Sequence, residues 1–165
     1  MTDFPSFLAD VLSGAPVVEG ELERAGVPVA PDLEIPVLWV AGIGHAIVET
    51  FDRMTPRQRH DVFTAVEQHL STGSELLQTA ITTGLLEVVS EAVNTGRLDA
   101  DEVAVLLGQE SRSYVDAWDE FSLGRSTLEP TNVPPDVRPA PATDAAATPA
   151  RSRRRPRWPR RRSCR

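Results

Sequence analysis

The chain has 165 residues, which is enough for one domain with a hydrophobic core but not comfortably for two. Its formal net charge of −7 conceals a split, because nine of the 17 arginines lie in residues 151–165 and all 24 carboxylates lie at or before Asp144. An acidic body of this kind repels nucleic acid and anionic lipid, so residues 1–150 are expected to bind neither.

The first third of the chain contains three predicted helices, recognised by apolar residues at helical spacing. The first covers residues 4–12 and ends near a glycine, and the second covers residues 17–25. The third runs from Asp32 to Met54 and is almost wholly apolar, which predicts a central helix without a polar face. Its expected core side chains are Trp39, Ile43, Ile47 and Met54.

Capping signals mark the helices that follow. Thr55, Pro56 and Gln58 form the pattern of a capping box. The segment Thr72-Gly73-Ser74-Glu75 repeats the capping-box pattern before the next helix, and Asp99-Ala100-Asp101-Glu102 is predicted to cap the helix after it. The apolar side chains expected on the buried faces are Val62, Phe63, Val66 and Leu70, followed by Leu77, Ala80, Ile81, Gly84 and Val88.

The last predicted helix carries Tyr114, Trp118 and Phe121, three or four residues apart. This spacing places the three aromatic side chains on one stripe, and we expect that stripe to anchor the helix in the core. Nowhere does the sequence alternate apolar and polar residues as a strand does. It therefore predicts an all-α fold, a compact bundle of about five to six helices.

The composition changes after Gly124. Eight of the 14 prolines follow this residue, and apolar residues able to form a core almost vanish. Such a segment cannot bury enough surface to offset its ordering entropy, so residues 1–124 are predicted to form the acidic helical domain and residues 125–165 a disordered tail. The arginine-rich end, residues 151–165, is typical both of a nucleic-acid contact and of GC-rich DNA translated in a wrong frame, and both interpretations remain open.

The motifs that could carry catalysis or a cofactor are weak. Gly42-Ile43-Gly44 is followed by Ile47 where a dinucleotide-binding turn needs a small residue, which favours close helix packing instead. His45 and Glu49 could place two metal ligands on one helical face, but no metal-binding motif joins them to His60 or His69, which are expected to be ordinary histidines. The only cysteine, Cys164, and the absence of a nucleophile motif argue against a hydrolase. We therefore expect no catalytic residue, no cofactor and no metal.

Three segments carry a resemblance to a known group of proteins: residues 67–73, residues 77–87 and residues 107–118. Together they resemble a family of small bacterial all-helical domains of unknown function, some of which are regarded as candidate immunity proteins of polymorphic toxin systems. The likeness covers residues 33–122. It implies a helical domain without cofactor or known catalytic residues, in which Glu67 and Glu87 would contact a partner.

Carboxylates are clustered at three places in the chain. The clusters are Glu19, Glu21 and Glu23; Asp99, Asp101 and Glu102; and Asp116, Asp119 and Glu120. Most acidic clusters are solvent-facing charge, and helix capping accounts for the second one. A partner-binding face is the leading functional alternative, and the third cluster is its predicted location.

These features predict a non-catalytic, cytoplasmic protein-binding domain, and most concretely an immunity-type inhibitor of a basic toxin domain. The N-terminus lacks the basic start of a signal peptide, and no uncharged stretch is long enough for a bilayer, so neither secretion nor a membrane partner is expected. One alternative is a nucleic-acid-associated protein that binds only through residues 151–165. Another is a small enzyme of unrecognised type.

Overall fold

The computed structural model describes residues 3–128, and the all-α prediction is confirmed there by seven helices without any strand. The helices are α1 (Phe4–Gly14), α2 (Val17–Ala25), α3 (Pro36–Thr50), α4 (Pro56–Thr72), α5 (Glu75–Asn94), α6 (Ala100–Leu106) and α7 (Gln109–Leu123). A 3-10 turn, Phe51–Arg53, follows α3. The number of helices, seven, is slightly above the predicted five to six, and the short helices α2 and α6 are among them.

The predicted caps of α4 and α6 are confirmed, whereas α5 is capped by Ser74 and Thr72 is the last residue of α4. The Thr55 hydroxyl accepts the backbone N–H of Gln58 at 3.3 Å, and the Gln58 side chain accepts the backbone N–H of Thr55 at 2.8 Å. Ser74 and Asp99 likewise accept a backbone N–H three residues ahead. These local bonds satisfy backbone groups that each helix start would otherwise leave without a partner.

The start of α3 differs from the prediction, because the helix begins at Pro36 and not at Asp32. The Asp32 side chain instead accepts the backbone N–H of Glu34 at 3.0 Å, which closes a turn ahead of the helix. A short aspartate side chain stabilises such a turn as readily as it caps a helix. The loop is then tied to α3 by the Trp39 indole N–H, which donates to the Pro28 carbonyl at 2.8 Å.

The core surrounds α3, as its apolar composition predicted. Trp39, Ile43, Ile47 and Met54 are all buried. On one side α3 packs against α2, and on another against α5. The α5 contact is close: a Cβ at Gly84 would lie 2.7 Å from the Val37 carbonyl oxygen, and one at Gly44 would lie 3.1 Å from the Leu85 Cα. Small residues therefore bring the two helix backbones together.

The α5 helix is continuous over 20 residues but is not uniform. Its central segment, Ile81–Leu86, is π-helical, and the flanking segments are α-helical. By length and composition, α5 is the one helix in the described range that could cross a membrane. Slightly more than half of it, 56%, is buried within the fold, which is the pattern of a core helix.

The predicted aromatic anchor of α7 is wrong for Trp118 and Phe121, whereas Tyr114 is partly buried and packs against the core. Phe121 is 84% exposed and Trp118 is only half-buried, with its ring 6.1 Å from that of Phe121. The buried stripe consists of Ser111, Val115 and Asp119, which are spaced four residues apart. Two of these three residues are polar, so hydrophobic spacing alone pointed to the neighbouring face of the helix.

The compact fold continues beyond the predicted boundary at Gly124. Leu128 is buried, and Ser126 and Thr127 are hydrogen-bonded to α7. Three residues that were assigned to the tail, Ser126, Thr127 and Leu128, thus pack against the helical domain. The remainder of the predicted disordered tail, residues 129–165, lies outside the described residues.

Candidate protein-binding site

Glu67, one of the two contact residues that the resemblance implied, lies on α4 and caps the N-terminus of α7. Its carboxylate accepts the backbone N–H of Glu110 at 2.7 Å, and the backbone N–H and hydroxyl of Ser111 at 3.0 and 2.7 Å. Burial tends to raise the pKa of Glu67, but the hydrogen bonds outweigh it and hold the pKa below its ordinary value. A Cβ at Gly108 would overlap this carboxylate, so the glycine leaves room for it. Both oxygens of Glu67 are therefore already occupied within the fold.

The predicted cluster of Asp116, Asp119 and Glu120 is not a single exposed face. Asp119 is fully buried and accepts the Ser90 hydroxyl at 2.6 Å, and it also accepts the backbone N–H and the hydroxyl of Thr127. Asp116 is half-buried and accepts the Ser126 hydroxyl at 2.7 Å. Of the three residues in this cluster, only Glu120 is exposed and has no intramolecular partner in the described residues. Asp119 is a structural group and does not belong to a surface site.

The other two acidic clusters divide in the same way. Glu21 is buried and pairs with Arg24 and Arg53, and the hydrogen bond from Arg24 lowers the pKa of Glu21. Asp99 caps α6, and Glu102 pairs with Arg59 at 3.0 Å. Each cluster thus contains members that hold the fold together. The members that remain exposed and without a partner in residues 3–128 are Glu19, Glu23, Asp101 and Glu120.

Glu87, the second contact residue that the resemblance implied, lies in a groove between α3 and α5. The Tyr114 hydroxyl donates to its Oε1 at 3.1 Å, and burial together with this carboxylate raises the pKa of Tyr114 to about 12. The tyrosine thus stays protonated and orients one carboxylate oxygen. Within the described range, nothing donates to the other oxygen of Glu87.

This feature, which we call the α3/α5 groove, has a volume of about 440 Å³. Its apolar lining comprises Val37, Leu38, Ala41 and Val88. Glu87 and Glu91 also line it, four residues apart on α5, and Glu87 directly follows the π-helical segment. Segments of π-helix inside α-helices occur frequently at functional sites. The groove is therefore the described cavity in which a predicted contact residue, an apolar surface and unusual backbone geometry coincide.

The histidines do not form a metal site in residues 3–128, where no group of three or more potential ligands lies together. His45 lines the groove, but Glu49 pairs with Arg97 at 2.6 Å. His69 is buried, hydrogen-bonded to Asp10 at 2.8 Å and packed edge-on against Phe7. It thus joins α4 to α1.

A second groove of about 430 Å³ separates α4 from α6. Val105, at its edge, is 82% exposed. The carboxylate that faces this groove is that of Glu67, which is already bound to α7. Of the two grooves, only the α3/α5 groove presents carboxylate oxygens without intramolecular donors.

Sequence reasoning missed the grooves and the internal roles of Glu67 and Asp119. One sequence feature was available, because Gly108, directly before α7, is a residue type typical of helix N-termini. Comparisons of the chain with protein-family models, with curated proteins and with solved structures found no match.

Proposed function

We propose that this chain is a non-catalytic protein-binding domain that recognises a basic partner, and most concretely that it is an immunity-type inhibitor of a cationic toxin domain. Such an inhibitor would act in the cytoplasm of the bacterium that makes it. The proposal is supported chiefly by the distribution of charge over the folded residues.

Residues 3–128 carry 21 carboxylates and seven arginines, a net charge of −14. Five of the arginines already pair with carboxylates inside the fold: Arg24, Arg53, Arg57, Arg59 and Arg97. Only Arg112 and Arg125 lack such a pair within this range. Nine exposed carboxylates have neither an ion pair nor a side-chain hydrogen bond there: Glu19, Glu23, Glu34, Asp52, Glu75, Glu91, Asp101, Glu110 and Glu120.

This excess has consequences for binding. Like charges held on one compact body repel each other and reduce its stability, whereas a basic partner relieves that repulsion. Complementary charge also speeds association, with rates that fall steeply as salt is added. A basic toxin domain is a partner of the required charge.

The test is to mix the purified chain with the product of any neighbouring toxin-like gene and to measure association and dissociation rates over a salt series. We expect fast association at low salt that slows as salt increases. Neutralising Glu19, Glu23, Asp101 and Glu120 to Gln or Asn should slow association more than it speeds dissociation. The four residues are exposed and have no partner in the described residues, so the fold should be unaffected.

The matched control exchanges Glu and Asp at the same four positions, which preserves the charge. The control should associate like the parent. Equal rates for all three proteins, or a toxin that stays equally lethal when the chain is co-expressed, would contradict the proposal.

A second function is favoured by a separate observation, the nine arginines of residues 151–165, which lie outside the described residues. Clustered arginines bind nucleic acid through phosphate contacts. Under this alternative, salt-dependent DNA binding would be present in the full chain and lost when residues 151–165 are deleted.

A further inference from the structure

The walls of the α3/α5 groove differ in chemistry. The α3 wall is apolar apart from His45, and its Leu38 side chain is 66% exposed although it lines a cavity. A leucine in this position leaves apolar surface in contact with water, and a binding partner could cover it. The α5 wall adds Val88 between the two carboxylates Glu87 and Glu91.

The two carboxylates have no cationic partner within the described residues. Glu87 and Glu91 are four residues apart on one helix face, a spacing at which like charges destabilise a helix. Neither forms an ion pair within residues 3–128. The arginine that lines the groove is Arg97, which is paired with Glu49 at 2.6 Å. His45 is the other titratable group in the lining.

The charge of the groove selects among ligands. An anionic ligand would be repelled by Glu87 and Glu91, and a purely apolar ligand would leave their charges without compensation in a partly dehydrated site. A cationic side chain next to an apolar one satisfies both walls. The volume of about 440 Å³ lies within the size range of ligand pockets, roughly 300–1,000 Å³, and suits a few side chains of a protein segment.

We propose that the α3/α5 groove binds a short helical segment of a partner protein that carries an arginine or lysine one helical turn from a leucine-sized side chain. The cationic group pairs with Glu87 and Glu91, and the apolar side chain packs against Leu38 and Val37. Tyr114 orients Glu87 in advance, because its hydroxyl holds one carboxylate oxygen. This inference rests on the proposed function, for which it specifies one binding site and the chemistry of the bound segment.

The first experiment titrates the full chain, labelled for NMR, with three synthetic helical peptides. The parent peptide carries Leu and Arg one turn apart, the second has every Arg replaced by Gln, and the third has every Leu replaced by Ala. We expect the parent peptide to shift the resonances of Val37, Leu38, Ala41, Thr83 and Val88. The affinity of both altered peptides should be at least about tenfold lower than that of the parent peptide, since each loses one of the two complementary contacts.

The second experiment repeats the titration with variants of the chain. Leu38→Ala and Glu91→Gln alter exposed side chains of the groove, so the fold should remain intact. The matched controls are Leu76→Ala and Glu75→Gln, which alter an exposed leucine and an exposed glutamate at the start of α5, outside the groove lining. The groove variants should weaken binding of the parent peptide, and the controls should leave it unchanged.

Three results would overturn the proposal. The first is a set of NMR resonance shifts centred away from the groove, and the second is an equal change in peptide affinity for the groove and control variants. The third is full displacement of the peptide by spermidine, which would indicate a site for small cations. If a basic toxin domain binds the Leu38→Ala and Glu91→Gln variants as tightly as it binds the parent chain, the proposed function stands, but the groove is not the binding site. Peptide binding in the groove without binding of any basic protein would contradict the proposed function instead.

Discussion

The α3/α5 contact and the attachment of α7 hold two helices of the same bundle by opposite means. At the α3/α5 contact, Gly44 and Gly84 allow the backbones to approach, and the buried side chains around them are apolar. At α7, the buried stripe includes Ser111 and Asp119, and Glu67 of α4 binds the helix start. Shape complementarity holds the first contact, and directed hydrogen bonds to carboxylates hold the second.

The difference explains where the acidic residues of the chain are used. Carboxylates withdrawn from water are costly unless they are hydrogen-bonded. Asp119, which is buried, and Glu67, which is partly buried, meet that condition by accepting three hydrogen bonds each. The attachment of α7 should therefore depend on a few individual groups and on pH. The α3/α5 contact should respond to changes in side-chain volume.

The largest effect is expected when the polar attachment is cut. A chain that ends at Gly124 loses the buried Leu128 and leaves Asp119 without its bonds from Thr127. We expect unfolding to require about 3 to 5 kcal/mol less free energy than for a chain that ends at Leu128, measured by urea denaturation. Equal stability of the two truncated chains would show that residues 125–128 do not contribute to the fold.

The next effect tests the close approach of α3 and α5. A Cβ added by Gly84→Ala would lie 2.7 Å from the Val37 carbonyl oxygen and 3.0 Å from the Ala41 nitrogen, so the helices must separate. We expect a loss of about 1 to 3 kcal/mol, typical of an overpacked core, measured by thermal or urea unfolding.

The matched control is Gly20→Ala in α2, where an added Cβ meets nothing within 4 Å. Alanine is favoured over glycine in a helix, so this variant should gain up to about 1 kcal/mol. Stabilisation by both substitutions would mean that Gly84 is not a packing requirement.

A smaller effect is expected from Glu67→Ala, which removes the cap of α7. The free energy of unfolding should fall by about 1 to 2 kcal/mol, which is in the upper range for the loss of a helix cap. The pKa of Glu67 is lowered in the folded chain, so the unfolded chain binds the proton at higher pH. The contribution of the Glu67 carboxylate to the free energy of unfolding is therefore complete above the ordinary glutamate pKa of about 4.3. It is lost as the pH falls through the lowered pKa of Glu67 in the folded chain.

The measurement is the difference in unfolding free energy between parent and Glu67→Ala at neutral and at acidic pH. It should shrink as the pH falls. Glu34→Gln, at an exposed position whose side chain has no partner in the described residues, serves as the control and should show no such convergence. A difference that is independent of pH would argue against a charged cap.

The smallest effect should come from the aromatic side chains of α7. Phe121→Ala should change stability by less than about 0.5 kcal/mol, because the side chain is 84% exposed. Val115→Ala, on the buried stripe of the same helix, should cost clearly more, about 1 to 3 kcal/mol. Urea unfolding of both variants decides which face packs, and a larger loss for Phe121→Ala would restore the aromatic anchor that the sequence predicted.

Local patterns predicted most of the fold, with two clear successes and two failures. Thr55 with Gln58 specified the start of α4, and the apolar run around Ile43 specified the central helix. Asp32 misled, because its side chain closes a turn and does not cap a helix. The aromatic stripe misled because spacing identifies a shared face but not the side on which that face lies.

The candidate site was less predictable than the fold. Glu67 and Glu87 were named together as contact residues, yet one caps a helix and the other lines a groove. Asp119 and Glu120 are neighbours in the chain, yet one is buried and the other exposed. No local pattern separates these pairs, since each role depends on what lies across the interface.

The sequence by itself determined the helical class, the caps of α4 and α6 and the apolar centre of the bundle, because these depend on residues within one or two turns of each other. Only the tertiary structure decided which carboxylates remain for a partner. The hydrogen bonds of Glu67 reach residues 43 and 44 positions away, and that of Asp119 to Ser90 spans 29 positions. A carboxylate becomes structural or available according to the donors that folding brings to it, and those donors are fixed only when the helices pack.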